Sequence, residues 1–296
     1  MKVAITGAGG QLGSQLVERF GPDAIALDLP EFDMTDRAAF DRLARLGPDV
    51  VINTAGHTAV DRAESEPELA YAVNVEGVAA LVDVCRQLGA ALVQISTDYI
   101  FGGDVGRTTP YRETDRPAPL GVYGQTKLEA ERLVAACPRH LIVRTSGLFG
   151  PAAPRGRGNF VATMLRLAAG EEPIRVVDDQ RSTPSYTPHV ARAIEFLVRS
   201  GCDGIYHVVN RGASSWYELA AELFRLIGNP VELVPIGLDQ YAAAARRPGY
   251  SVLDTSRYDA LPGRWPLPDW HDALVEHIRR EGLVIATEPT TTEPRP

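Results

Sequence analysis

At 296 residues, 45% of them hydrophobic and 23% charged, the chain is long enough to bury a large core in one large or two modest domains. Its formal net charge of −8 argues against nucleic acid or an anionic membrane as a partner. No apolar run is long enough to span a bilayer, Met1 leads straight into a strand without a signal peptide, and Cys85, Cys137 and Cys202 are too scattered for a disulfide framework or a zinc site, so a cytoplasmic protein with reduced thiols is expected.

The N-terminus, MKVAITGAGGQLGSQLVERF, opens with an apolar run from Val3 to Ile5 suited to a buried strand. Gly7, Gly10 and Gly13 then lead into a helical pattern in which Leu12, Leu16, Val17 and Phe20 share a face. Glycine at such a turn lets the backbone approach a pyrophosphate, and the helix N-terminus offers it unpaired N–H groups and a positive dipole end. The spacing is G-x-x-G-x-x-G, with Leu12 in the place of the third glycine of the usual fingerprint; an ordinary glycine-rich turn is the plainer alternative. A second strand, AIALDL, carries Asp28, 21 positions after Gly7, where a carboxylate either accepts hydrogen bonds from an adenosine ribose or closes a turn before Pro30. No Arg or Lys follows closely to receive a 2′-phosphate, so Asp28 leans toward NADH over NADPH, with use of both compatible. Asp33 either reaches the adenine amine or caps the following helix.

VVINTAG, ALVQIST and LIVRTS complete five candidate strands in the first 150 residues, separated by helical periodicity such as LAYAVNVEGVAALVDVCRQLG. Continuous apolar strands joined by helices imply an α/β, doubly wound parallel sheet of Rossmann type, whose ligands bind beyond the carboxyl ends of the strands. After Gly150 the pattern loosens. PAAPRGRGNF is basic and Gly/Pro-rich, IRVVDDQRSTPSYT reads as a strand and a loop, and TPHVARAIEFL and SWYELAAELFRLIG are amphipathic helices around the strand GIYHVVN. These pieces predict a smaller mixed lobe over residues 151–286 that closes over a dinucleotide-binding domain of residues 1–150, with segments near 187–210 returning to the latter. The tail at 287–296 lacks large apolar residues and is expected to be disordered.

Tyr123 and Lys127 stand four apart in LGVYGQTKLEAERL. Positions i and i+4 share a helix face, so an ammonium there can sit beside the phenol and make it a better proton donor at neutral pH. Free tyrosine, with a pKa near about 10, needs such help. Thr97, at the end of an apolar run, is then a third polar group placed to hold the same oxygen, and the three together are the apparatus of a carbonyl reductase. Alone, Y-x-x-x-K also describes a half-buried Tyr with a solvated Lys.

TGAGGQLG, NTAGHTAVDRAESEPELAYAVN, STDYIFGG, YGQTKLEAE, RTSGLFG and RRPGYSVLDTSR, in that order, resemble the dTDP-4-dehydrorhamnose reductases within the extended short-chain dehydrogenase/reductases. The resemblance covers nearly the whole chain except the tail, and HTAVDRAESEPE is its most discriminating part. It implies reduction of the C4 ketone of a dTDP-4-keto-6-deoxy sugar by NADPH or NADH, with Tyr123 as proton donor, Lys127 on the nicotinamide ribose and Thr97 hydrogen-bonded to the ketone. The cofactor positions it implies are Gly7, Gly10, Gln11, Leu12, Gly13, Asp28, Asp33, Met34, Ala55, Gly56, His57, Thr58 and Asn74, besides Tyr123 and Lys127. Asn74 is expected to order the site, and His57 has no acid–base role. Implied contacts to the nucleotide sugar are Val60, Asp61, Asp98, Tyr99, Gly147, Asn159, Arg247 and Ser251, with the Arg247 guanidinium giving bidentate recognition of a phosphate. Read as residues alone, Arg246 and Arg247 are a solvated pair.

The chain departs from the family pattern in places. Gly147 stands where an aromatic residue, typically Trp, follows RTS, and Phe149 or Tyr186 is the candidate to fill the gap. DQRSTPSYT replaces a loop close to DQxGxPT, and Arg257 ends LDTSR in place of Lys. Gln15 occupies the position of a glutamate that helps to hold magnesium in some dimeric members, so no metal is expected, and a monomer or a homodimer is compatible. Two rival readings share the fold: a reductase of another nucleotide-4-keto sugar, as in antibiotic deoxysugar assembly, and a non-catalytic subunit like the regulatory subunit of methionine adenosyltransferase.

Overall fold

The computed structural model describes residues 1–154 and 158–285. The tail expected to be disordered and residues 155–157 of the basic segment lie outside the described residues. The first half of the chain forms β1 (Val3–Thr6), α1 (Gln11–Phe20), β2 (Ala24–Leu27), α2 (Arg37–Leu46), β3 (Val50–Asn53), α3 (Val60–Ser65), α4 (Pro67–Tyr71), α5 (Gly77–Leu88), β4 (Ala91–Thr97), α6 (Val122–Ala135) and β5 (His140–Thr145). The second half forms β6 (Leu148–Phe149), α7 (Phe160–Leu167), β7 (Ile174–Val177), β8 (Arg181–Ser182), β9 (Ser185–Tyr186), α8 (Thr187–Arg199), β10 (Gly204–His207), β11 (Ser214–Ser215), α9 (Trp216–Ile227), β12 (Leu233–Ile236), α10 (Ser256–Asp259) and α11 (Trp270–Arg280). Among the described residues no helix is long and apolar enough to cross a membrane.

Six parallel strands make the central sheet, in the order β2-β1-β3-β4-β5-β10. Every residue of β1 and β3 is buried, as apolar runs covered on both faces must be. One face packs Val3, Ile5, Ile52 and Val143 against Leu12, Leu16 and Phe20 of α1 and Val190, Ile194 and Leu197 of α8. The other packs Ala4, Val51, Leu92 and Ile142 against Phe40 and Leu43 of α2 and Val78, Leu81 and Val82 of α5. From β1 the chain crosses to β2 on one side and returns to β3 on the other, so the switch point, where open α/β sheets bind ligands, lies between the ends of β1 and β3.

α8 and β10, which span the segments near 187–210, belong to this sheet: β10 extends it beside β5, and α8 covers it beside α1. Their apolar stripes have a larger surface to cover there. The remaining pieces form a second core in which Val161, Leu219, Leu223, Phe224, Leu274 and Ile278 pack around Phe149 and Tyr186. It is edged by short pairs, β7 with β12, β8 with β11 and β6 with β9. A segment just before α10 then crosses back to the catalytic side: Ser251 N–H donates to Arg181 O, Tyr111 N–H to Val252 O and Asp254 N–H to Tyr111 O.

Candidate active site

The loop between β1 and α1 has no room for side chains. Gly7 has φ +68°, and a Cβ there would lie 2.7 Å from the Ala55 nitrogen; one on Gly13 would lie 2.1 Å from the Gly7 carbonyl oxygen. Gly10 is the N-cap of α1 and supplies no side-chain cap, and the first turn holds no acidic residue, so the amides of Gln11 and Leu12 are free to meet an anion at the positive end of the helix. The side chain of Leu12 turns into the core. Asp28, directly after β2, accepts from Gly9 N–H at 2.6 Å and Leu29 N–H at 2.8 Å, which places the carboxylate against the glycine loop. This cradle fits a dinucleotide pyrophosphate with a ribose beside Asp28. Gly13→Ala is expected to push α1 off the loop, lowering stability by about 1–3 kcal/mol and dinucleotide affinity at least about tenfold. Fluorescence titration with NADH checks this; unchanged affinity contradicts the cradle.

Asp33 does not cap α2. Its carboxylate accepts from Thr35 N and Oγ1, while Asp36 is the N-cap and accepts from Ala38 N–H. Met34 packs its side chain into the core, against Gly77. Beyond β3, Ala55, Gly56, His57 and Thr58 line the other side of the switch point. Asn74, in a π-helical turn over Ala72–Glu76, fixes this strip: its Oδ1 accepts His57 N–H at 2.8 Å, and its Nδ2 donates to His57 O and to Thr126 Oγ1 on α6. His57 Nε2 lies 3.6 Å from the half-buried Glu66.

On α6, Tyr123 and Lys127 are both buried. The helix has no cap of its own; Glu64 of α3 accepts Val122 N–H at 2.8 Å and so holds the turn that carries the phenol. The Tyr123 hydroxyl lies beside Thr97, and the Tyr99 ring stands edge-on to the Tyr123 ring with centroids 5.8 Å apart. Burial pushes the Tyr123 phenol well above the ordinary tyrosine range; Thr97 pulls it down, and Asp98 and Tyr99 push it up further. The expected bias by the Lys127 ammonium is therefore corrected: desolvation dominates. The Lys127 amine is instead anchored, donating to Ile95 O at 2.6 Å, and burial lowers it to about 8 against the opposing pull of Glu131.

That anchor ends a buried ladder. Thr6, Asn53 and Gln94 are register partners across β1, β3 and β4; Thr6 Oγ1 donates to Asn53, Asn53 Nδ2 to Gln94, and Gln94 Nε2 to Ile95 O, the atom that receives Lys127. Behind it, Glu131 forms a bidentate pair with Arg144 of β5, at 2.8 and 3.0 Å, and accepts from Ser96 Oγ at 2.5 Å.

On the facing side, Asp61 at the start of α3 takes both guanidinium nitrogens of Arg247, at 2.7 and 3.1 Å, and the Ala245 N–H. Arg247's hydrogen bonds hold the Asp61 carboxyl below the usual carboxylate range. Arg247 lies over the Tyr241 ring and Arg246 is exposed, so the two arginines are not a solvated pair. Val60 packs with Tyr99 and Tyr123.

The sequence matches the RmlD substrate binding domain family over residues 1–282. It is 44% identical over 284 residues to a dTDP-4-dehydrorhamnose reductase of Streptomyces griseus, with 92% of this chain and 91% of the relative covered. The chain belongs to the RmlD substrate binding domain family. A reductase of the same name from Mycobacterium tuberculosis (strain CDC 1551 / Oshkosh) is 43% identical over 281 residues, with 92% of this chain and 91% of the relative covered. The crystal structure of a dTDP-4-dehydrorhamnose reductase from Bacillus anthracis in complex with NADP superposes with a TM-score of 0.88 at 36% identity, covering 95% of this chain and all of the other.

Within this family frame, four sugar-side expectations are corrected. Ser251 is fully buried and donates to Asp98 Oδ2 at 2.6 Å, so it does not face a substrate. Asp98 is itself buried, held between Ser251 and Thr97, and burial raises its carboxyl. Asn159 is the N-cap of α7, its Oδ1 accepting Ala162 N–H and its Nδ2 donating to Gly150 O. Gly147 has φ +51° and a Cβ there would lie 3.1 Å from Pro184 Cα, so the 183–184 backbone occupies the family's aromatic position; Phe149 and Tyr186 stack in the second core and fill no gap there. The altered loop has its own anchors: Arg181 pairs bidentately with Glu218, and Gln180 accepts the Trp216 indole N–H.

Proposed function

We propose that this chain reduces the C4 ketone of dTDP-4-dehydro-L-rhamnose to give dTDP-L-rhamnose, using NADPH or NADH. The observation that carries the reading is the buried Thr97–Tyr123 hydroxyl pair with Lys127 fixed one turn away, beside the glycine cradle, in a chain 44% identical to a reductase of that name. A nicotinamide dinucleotide, when bound, supplies the hydride. Gly7, Gly10 and Gly13 admit its pyrophosphate and Asp28 its adenosine ribose. Tyr123 gives a proton to the C4 oxygen, Thr97 holds that oxygen in line, and the Lys127 ammonium stabilises the negative charge that develops beside it. Asp61, Arg247 and Tyr99 face the nucleotide sugar, with the guanidinium exchanging Asp61 for a phosphate oxygen. Asp28 in the position of an adenosine-ribose acceptor leans toward NADH, while the relative from Bacillus anthracis holds NADP, so both cofactors are expected to serve.

The ammonium form of Lys127 is the active one in this scheme. With its amine at about 8, activity is complete below that pH and is lost as pH rises through it. A pH profile of kcat/KM falling with one proton above about 8 is expected; a plateau to pH 10, near where a free lysine titrates at about 10.4, contradicts this role. Loss of NADH or NADPH absorbance across a panel of dTDP-4-keto sugars tests the substrate. Turnover is expected with the rhamnose precursor. A chain that binds cofactor and reduces none of the panel is not a reductase of this class.

A further inference from the structure

The geometry points to Ser251 as a positioning residue that acts through Asp98 to set the direction of the Thr97 hydroxyl, an inference that rests on the reductase reading above. A hydroxyl has one proton and two lone pairs. Thr97 Oγ1 donates its proton to Asp98 Oδ1 at 3.2 Å, accepts the Tyr99 N–H at 3.2 Å, and lies beside the Tyr123 phenol. Asp98 and the Tyr99 N–H together hold the Thr97 hydroxyl in one orientation beside the phenol, ready to turn its proton from Asp98 to a ketone oxygen that enters there, while the phenol keeps its own proton to transfer. The direction of this chain depends on which way the Asp98 carboxylate turns, and Ser251 decides that by donating to the opposite oxygen, Oδ2, at 2.6 Å.

Ser251 suits this role because it cannot move independently. It is fully buried, and its neighbours in the chain are fastened to two elements, Ser251 N–H to Arg181 O and Val252 O to Tyr111 N–H. It also lies four positions beyond Arg247, which pairs with Asp61 on the substrate side. One short segment thus carries both a nucleotide-sugar contact and the orientation of a catalytic hydroxyl. Removal of the Ser251 hydroxyl leaves a buried carboxylate oxygen short of a donor, so Asp98 rotates or takes up a proton, and the Thr97 hydroxyl loses its fixed orientation beside Tyr123.

The test is a double-mutant cycle with Ser251→Ala and Thr97→Ala. Ser251→Ala is expected to lower kcat about tenfold with KM for the nucleotide sugar within about twofold, and the loss is expected to vanish in the Thr97→Ala background because both changes break the same chain. Additive losses, or a raised KM at unchanged kcat, overturn the inference in favour of direct sugar contact or a general packing role. Ser251→Cys, nearly isosteric but a poorer donor, is expected to shift kcat in the same direction and serves if the alanine variant does not fold. A readout independent of turnover is the titration of Asp98 followed by carboxyl 13C NMR in the ligand-free protein. The titratable groups facing it are Tyr99 and Tyr123. Loss of the Ser251 donor is expected to move that titration to higher pH, and an unchanged titration overturns the role of Ser251. Should the wild-type chain reduce none of the sugars, the kinetic arms fall silent while the NMR arm still reports on Ser251 and Asp98, which separates failure of this inference from failure of the reductase reading.

Discussion

Tyr123→Phe is expected to lower kcat by at least about 10²-fold, the usual range for loss of a general acid, while the cofactor still binds. The change removes one oxygen and leaves the ring, its edge-on contact with Tyr99 and its packing against Ala63 and Ala70 in place. Thr97 then keeps Asp98 and Tyr99 as partners. Lys127 stays anchored to Ile95 O, and the His57 backbone stays held by Asn74. Because burial holds the phenol far above neutral pH, it is protonated at every working pH and serves as a donor rather than a base in the reductive direction. Steady-state rates together with NADH titration check this; near-normal turnover removes Tyr123 from the mechanism.

Arg144→Leu is expected to destabilise the fold by about 3–5 kcal/mol, the cost of leaving a buried charge without its partner. Glu131 and Arg144 are 4% and 2% exposed, so water does not replace the lost guanidinium. Ser96 Oγ remains as the carboxylate's short donor. The double variant with Glu131→Leu is expected to recover much of the stability, because an apolar pair of similar volume avoids both desolvation penalties. It is not expected to recover activity at neutral pH, since Glu131 is the group that holds the Lys127 ammonium against its own burial. Urea denaturation of the two variants decides the matter. A loss under about 1 kcal/mol in the single variant would make the pair no stronger than an exposed ion pair.

The local signals in the chain were the legible ones. VAIT, VVIN and ALVQIST are apolar runs without alternation, and only a sheet covered on both faces accommodates them. The glycines at 7 and 13 announced a crowded turn, and the structure supplies the crowding atoms, Ala55 N and Gly7 O. What stayed hidden depends on partners distant in sequence. Asp61 meets Arg247 across 186 positions, Ser251 meets Asp98 across 153, and Glu64 reaches Val122 across 58. Each carboxylate reads as a surface group until the fold brings its partner to it. Thr6, Asn53 and Gln94 gave a fainter signal, as polar residues inside otherwise apolar strands, but only the register lines them up. Helical periodicity shows that α8 is amphipathic, while the surface it covers, beside α1, is set only by the fold.

The most direct measurement is product analysis by NMR. The purified chain is incubated with dTDP-4-keto-6-deoxyglucose, a 3,5-epimerase and NADH or NADPH deuterated at the transferable position. The result predicted is dTDP-L-rhamnose carrying deuterium at C4, formed by the wild-type chain and not by Tyr123→Phe. Unreduced ketone, or a C4 epimer of that sugar as the labelled product, would contradict the account.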